Sequence, residues 1–222
     1  MAQYNITVKR PNLTSYQKEI LYCSARFTVT EASTKVGKTF SHIWWIYERA
    51  HKPWNKAGYE HWWVAPVYSQ SRIAFKRLKR KLVKLNELYI VNQSSMTITC
   101  PNGAVIVFKS ADKPDSLFGE DVHSVVFDEA PRAKVDSFYA LRSTITATKG
   151  LMKLIGNFGG SSNWVHLLKD KAEEDKTYAY FKITAWDGVR EGILDEKEIL
   201  QAQKDLPPKI FSELYEAAPS ED

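Results

Sequence analysis

The octet Ala32-Ser33-Thr34-Lys35-Val36-Gly37-Lys38-Thr39 restricts this chain more than any other segment. It fits the phosphate-binding pattern G-x-x-x-x-G-K-[ST] at every defined position except the first, where Ala stands for Gly. Residues 26–30 before it read as a short strand. Residues 40–50 after it contain neither Gly nor Pro and read as a helix, with Ile43, Trp44, Ile46, Tyr47 and Ala50 as its apolar positions. Strand, loop and helix in that order is the context the motif requires. Backbone N–H groups around Gly37 and the helix N-terminus are then placed to cradle β-phosphate oxygens. Lys38 reaches the β/γ-phosphates, and the Thr39 hydroxyl ligates Mg²⁺. A chance G-K-T before an amphipathic helix is the bland alternative, and the flanking pattern argues against it.

A second signature lies some 90 residues downstream. The apolar run Val122-His123-Ser124-Val125-Val126-Phe127 ends at Asp128 and Glu129. A strand buried on both faces delivers its C-terminal end to the ligand-binding edge of an α/β sheet. Asp128 there holds Mg²⁺ through water beside Thr39, and Glu129 polarises the attacking water as general base or water positioner. Acids at a strand end are common, so this motif is weak alone. Paired with the loop it points to hydrolysis of a nucleotide rather than binding only. A third segment, Leu154-Ile155-Gly156-Asn157-Phe158-Gly159-Gly160, reads as a strand running into a polar turn. Asn157 sits where an amide could sense a γ-phosphate, although spacing by itself marks only a Gly-rich loop.

With 222 residues, 44% of them hydrophobic, the chain suits one large domain, or one plus a small appendage. No apolar run approaches the roughly 20 residues of a membrane span. Residues 1–5 lack the apolar core of a secretory signal. Cys23 and Cys100 have no metal-ligand spacing, which fits a reduced cytosol and excludes a zinc site built on them. The net charge of +5 favours an anionic partner. Seven Lys or Arg and no acid fall between residues 72 and 84. On a helix, Ala74, Leu78, Leu82 and Leu85 make one buried stripe, while Arg72, Lys76, Arg80 and Lys84 make a basic one. Like charges at that spacing cost an isolated helix about 0.2–0.5 kcal/mol per pair. Nucleic-acid contact or a solvated outer face would each accommodate them.

Thr14-Ser15-Tyr16-Gln17 has the T-x-x-Q form of a capping box, opening a helix to about residue 25. Residues 58–66, 122–127, 151–155 and 178–185 read as strands, and residues 134–147 and 164–172 as helices. Two further helices bracket Pro207-Pro208. Residues 96–100 and 104–108 flank Pro101-Asn102-Gly103 as a β-hairpin. The alternation predicts an α/β fold of the P-loop NTPase type: a mostly parallel sheet covered on both faces, with the hairpin as an insertion. Residues 1–185 form the core, and residues 186–222 a helical lid or linker.

The order of the phosphate loop, Asp128-Glu129-Ala130 and the Gly156-Asn157 turn resembles the ATPase domain of large terminase subunits, the DNA-packaging motors of tailed bacteriophages. Two further segments are similar to that family. Val64-Ala65-Pro66-Val67-Tyr68-Ser69-Gln70-Ser71-Arg72 resembles its A-P-T-Y-x-Q-x-R stretch. Lys109-Ser110-Ala111-Asp112-Lys113-Pro114-Asp115-Ser116-Leu117-Phe118-Gly119 resembles its S-A-D-x-P-x-x-L-R-G stretch. The resemblance runs from about residue 13 to residue 217. It implies a RecA-like, additional-strand P-loop fold and ATP hydrolysis with Mg²⁺ that drives double-stranded viral DNA into a procapsid. Implied with it are a portal and a small terminase subunit as partners, a ring of copies (a pentamer on the portal), and a place in the host cell cytoplasm.

By the same resemblance, Tyr16 and Gln17 match the family's adenine-contacting segment, with helix capping and packing as their bland role. Lys35 matches an extra basic residue within the loop, and Asn157 a coupling residue. Three positions depart from the family pattern: Ala32 for the first loop Gly, Phe158 where Pro is common, and Phe118 where Arg is common before Gly. Arg72, Arg77, Arg80, Arg132 and Arg142 are candidates for an arginine supplied to a neighbour's nucleotide, and Arg72, Lys76 and Arg80 also for DNA contact. Family members usually continue into a nuclease. Residues 211–222 read as the end of the ATPase portion, so no DNA cleavage is expected of this chain. A helicase-like translocase shares the motifs but usually needs a second RecA-like half. A non-hydrolysing scaffold would use nucleotide only to set its conformation.

Overall fold

The computed structural model describes residues 10–82, 85, 87–159 and 163–218. Eight described strands form one sheet: β1 (Phe27–Ala32), β2 (Glu60–Ala65), β3 (Ile90–Asn92), β4 (Thr97–Thr99), β5 (Val105–Ser110), β6 (Val122–Asp128), β7 (Leu151–Gly156) and β8 (Tyr178–Ile183). Their order across the sheet is β3-β4-β5-β2-β6-β7-β1-β8. From β5 to β8 every neighbouring pair is parallel. The β3–β4 and β4–β5 pairs are antiparallel.

The hairpin forms, but it is not an insertion. Its second arm, β5, pairs in parallel with β2 from Glu60↔Val105 to Ala65↔Ser110, so it belongs to the central sheet. The reason lies in Ile106, Val107 and Phe108, three consecutive buried residues that need cover on both faces. Only β3 and β4 are appended, and β3 has no clear signal in the sequence.

Consecutive side chains on a strand point to opposite faces, and Trp62 and Trp63 divide the core accordingly. Trp63 packs with Trp45, Phe108 and Val126 under the helices of one face. Trp62 packs with Phe127, Leu141 and Leu154 on the other. Both tryptophans are fully buried, a setting where truncation to Ala costs about 3–5 kcal/mol.

The first face carries α1 (Ser15–Tyr22), α2 (Lys38–Ala50) and α3 (Tyr68–Leu82). At α1 the capping box is closed both ways: Gln17 N donates to Thr14 Oγ1 at 3.2 Å, and Thr14 N donates to Gln17 Oε1 at 3.1 Å. As the sequence pattern predicts, α3 buries Ala74, Leu78 and Leu82 and leaves Arg72, Lys76 and Arg80 exposed. Lys84, the fourth member of that stripe, lies outside the described residues. Helices α4 (Val135–Thr144) and α5 (His166–Glu174) cover the opposite face. The chain then continues into α6 (Ala185–Arg190), α7 (Glu196–Asp205) and α8 (Pro208–Tyr215), which share a small core of Ala185, Ile199 and Phe211. Among the described residues no helix is long and apolar enough to cross a membrane.

Strand β7 separates β1 from β6, so the phosphate loop and the acidic pair leave the sheet one strand apart. At its centre Lys153 is buried, its ammonium donating to the Ile20 carbonyl at 2.8 Å and lying 4.9 Å from the Trp45 ring centroid. Burial pushes its pKa down to about 7. The contact ties the C-terminal turn of α1 to the sheet, which fixes Tyr16 and Gln17 over the phosphate loop.

Candidate active site

The phosphate loop runs from the end of β1 into α2 with two left-handed residues, Lys35 at φ 62° and Gly37 at φ 83°. Gly37 meets a second requirement as well: a Cβ there would come within 2.5 Å of Gln17 Nε2. Tyr16 and Gln17 therefore brace the loop. The Tyr16 hydroxyl donates to the Val36 carbonyl at 2.9 Å, and Gln17 Nε2 approaches the Val36 and Gly37 carbonyls at 3.5 Å. Ala32, at the departing first position, has its methyl buried in an apolar cluster with Tyr16, Ile20, Val36 and Ile183. Lys38 Nζ folds back to donate to the Ser33 carbonyl at 3.2 Å. Ser33 N donates to Ile183 O and Thr34 N to Leu214 O, both at 2.8 Å. The second contact sets the last turn of α8 directly on the loop.

The acids arrive from β6. Asp128 is 7% exposed, and its Oδ1 is buried with no hydrogen-bond partner. Burial first, then the neighbouring Glu129 charge, pushes its pKa up to about 7; Lys38 and Arg77 pull the other way. Glu129 adopts a left-handed φ of 49° and heads a 3₁₀ turn, Ala130–Arg132. Its Oε1 lies 3.8 Å from Lys38 Nζ and its Oε2 3.8 Å from Arg132 Nε. Solvent reaches these groups, so each pair contributes at most about 1 kcal/mol. Their value is positional: the loop lysine and the strand-end glutamate converge on one point.

Gly156, ending β7, allows this convergence, because a Cβ there would press on Pro131 Cδ at 2.7 Å. Next to it, Asn157 Nδ2 donates to the Glu213 carbonyl of α8 at 2.6 Å. Phe158, where the family commonly has Pro, is buried and meets the His166 ring edge-on at 5.6 Å between centroids. Two contributors, Asn163 and Trp164, carry no motif that marks them in the sequence. Their side-chain N–H groups donate to Pro131 O at 2.8 Å and Ala133 O at 2.9 Å, holding the turn that carries Glu129.

The buried Asp128 oxygen has no partner and has the chemistry to hold a hydrated divalent cation, and Thr39 in the first turn of α2 offers a hydroxyl. Among the described residues no group of three His, Cys, Asp or Glu could hold a metal, so a cation here would share its shell with water and phosphate oxygens. That is the habit of Mg²⁺. Of the remaining candidates, Arg72, Lys76 and Arg80 line a groove of about 460 Å³ with Tyr68, Lys79 and Gln93. Arg142 is not brought to the site. It donates to Thr146 Oγ1 at 3.1 Å and lies over Phe27 at the opposite, N-terminal edge of β1.

The buried titratable groups give a pH dependence of definite sign. Burial lowers both His42 and His61 to about 3, with Lys153 and Arg49 respectively adding to the effect. Between pH 6.5 and 4 each is neutral when folded and protonated when unfolded, so acid removes stability. Asp128 acts oppositely, being protonated when folded and ionised when unfolded. Two histidines less one aspartate leave one extra proton on the unfolded chain, about 1.4 kcal/mol lost per pH unit. His51 and His123, also lowered by burial, add to the loss. Thermal melts at pH 7 and pH 5 should show a clear fall in Tm. A flat or rising Tm would contradict the burial of these imidazoles.

A phosphate loop on β1, acids ending β6 and one strand between them define a P-loop NTPase of the additional-strand type. The chain belongs to the phage terminase large subunit family, whose sequence profile matches residues 68–206. The large terminase subunit of Thermus phage G20c is 25% identical over 158 residues, covering 62% of this chain and 30% of that relative's length. The chain thus spans less than a third of the curated relative it matches. Among solved structures, the large terminase ATPase domain of Thermus phage P74-26 superposes with a TM-score of 0.75 at 20% identity, covering 94% of this chain and 93% of that one. The HK97 bacteriophage large terminase gives 0.80 at 15% identity, over 96% of this chain and 52% of the other. A large terminase from a thermophilic bacteriophage, solved in complex with ATP-gamma-S, gives 0.72 at 15% identity over 93% and 53%. At these identities the likeness establishes the fold.

Proposed function

We propose that this chain is the ATPase portion of a large terminase, hydrolysing ATP with Mg²⁺ to drive double-stranded viral DNA into a procapsid. The observation that carries the reading is the 3.8 Å approach of Lys38 to Glu129 across β7, beside the buried, unpaired Asp128 oxygen. A loop lysine for the phosphates and an acid for water belong together only where a phosphoanhydride is cleaved. Loop N–H groups at the start of α2 bind the phosphates, with Lys35 adding charge at the loop's exposed side. Glu129 takes the proton of the attacking water. Thr39 and Asp128 would hold Mg²⁺, which when bound neutralises charge on the β- and γ-phosphates. Tyr16 and Gln17 keep the loop in shape and border the space for the base.

Asn157 and Thr34 both hold the last turn of α8. Loss of a γ-phosphate would thereby reach the 186–222 lid, which moves against the 1–185 core. In the cytoplasm of the host, copies of the chain would work as a ring on the portal, with DNA delivered by the small subunit.

Calorimetry with and without magnesium tests the metal assignment. ATP affinity should rise with magnesium in the wild type, and Asp128→Asn should lose most of that gain. Equal gains in both proteins would remove Asp128 from the metal site.

For DNA, the stripe on α3 gives a distinct expectation. Neutralising Lys76 and Arg80 should weaken binding equally for all sequences, because phosphate contacts carry no base information. The slope of log affinity against log salt should become shallower by about 0.9 for each duplex phosphate no longer neutralised. Turnover without DNA should stay near wild type. Its collapse with DNA binding unaltered would assign the stripe to a subunit contact or the catalytic site.

A further inference from the structure

Two surface features outside the nucleotide site complement each other, and they lie on opposite faces of the sheet. The first is an apolar groove between α2 and α3, about 230 Å³ in volume, floored by Ile43, Trp44, Leu78 and Leu82. An apolar cavity of about 150 Å³ already holds a benzene ring. Phe40, 37% exposed, stands at its mouth with Lys81 Nζ 4.7 Å from its ring centroid. A neighbouring hollow of about 540 Å³ shares Phe40, Ile43 and Lys81 and adds Arg77 and Arg80, so the rim is cationic.

The second feature is the loop after the 3₁₀ turn Pro114–Leu117. Leu117 is buried in the core of the opposite face, while Phe118 is 51% exposed. Gly119 follows at φ 98° with open space around it, and Glu120 and Asp121 are both exposed. An aromatic ring followed by two acids matches an apolar slot with a cationic rim, in shape class and in charge.

We propose that the Phe118-Gly119-Glu120-Asp121 loop of one copy docks into the Phe40, Lys81 groove of the next. The inference rests on the reading of this chain as a subunit that works beside copies of itself. Phe118 enters the slot over Ile43 and Leu78, while Glu120 and Asp121 face Arg77, Arg80 and Lys81. Because the two patches occupy opposite faces, the contact is head-to-tail. It propagates to a closed ring or a filament instead of stopping at a two-fold dimer. One phenylalanine covers about 150–250 Å², so it anchors a larger contact and does not supply the whole of it. Phe118 is thus an assembly residue, at a place where the related stretches commonly carry a cation.

Cross-linking tests this without ATP. In a Cys23→Ser background, which leaves only the buried Cys100, Ser116→Cys and Lys81→Cys proteins, both keeping Phe118 and the rim cations Arg77 and Arg80, are mixed and treated with a short bismaleimide. Both sites are exposed, so neither change threatens the fold. The expected result is a cross-linked dimer in the mixture and little in either protein alone. Glu120→Lys should weaken self-association in sedimentation by at least fivefold, and Lys81→Glu protein added to it should restore association. Cross-linking of Ser116→Cys with itself to the same extent as in the mixture would overturn the head-to-tail contact. So would self-association with no cross-link in the mixture, a result that leaves the motor-subunit reading standing. A cross-link in a protein that hydrolyses no ATP would sustain the surface and sink that reading.

Discussion

Glu129→Gln is expected to abolish ATP turnover and to leave nucleotide binding intact. Glutamine keeps the shape of the side chain but cannot accept a proton from water. The left-handed backbone at residue 129 and the tethers from Asn163 and Trp164 do not depend on the carboxylate. The change removes the charge that helps raise the Asp128 pKa and the 3.8 Å pair with Lys38, but it leaves both Asp128 and Lys38 in place for the nucleotide. Removing a general base costs about 10²–10⁴-fold in rate, or roughly 3–5 kcal/mol of barrier. Phosphate release measured beside fluorescent-nucleotide binding checks both halves. Wild-type turnover in this variant would take Glu129 out of the mechanism.

Lys38→Ala is expected to fail one step earlier, at nucleotide binding. A cation hydrogen-bonded to phosphate contributes roughly 1.5–3 kcal/mol, so ATP affinity should fall about 10- to 150-fold. Lys38 also donates to the carbonyl of the fully buried Ser33, so a thermal melt of the variant accompanies the affinity measurement to show that it folds. Lys35 is the loop's other cation, exposed and held at a positive φ. Calorimetry of the single and Lys35/Lys38 double variants separates their roles. Unchanged affinity in Lys38→Ala, with loss only in the double variant, would reverse the assignment.

The parts legible in the sequence are those set by neighbouring residues. The loop's glycine and lysine, the apolar run into Asp128, the capping box at Thr14 and the buried stripe of α3 are all local patterns. Each appears where its spacing puts it. Strand order is different, because it is decided by which apolar faces meet. Nothing local shows that β7 lies between β1 and β6, or that β5 serves at once as hairpin arm and central strand. The contacts that finish the site are also distant: Trp164 reaches Ala133 across 31 residues, and Asn157 reaches Glu213 across 56. Helix α6 has a usable signal, the Thr184–Asp187 capping box, but at only 6 residues it is too short for apolar periodicity to confirm. Arg142 is conspicuous in sequence, and only the fold shows that it rests on Phe27 at the N-terminal end of β1, away from the phosphate loop of its own chain.

The proposed function places ATP hydrolysis, coupled to work on DNA, at the edge shared by β1, β7 and β6. Phosphate release from ATP, followed against protein concentration with and without duplex DNA, tests it most directly. Turnover per chain should rise with concentration as copies meet, and rise again when DNA is added. Bound ATP with no phosphate released at any concentration, with or without DNA, would contradict it and leave a scaffold that uses nucleotide only to set its shape.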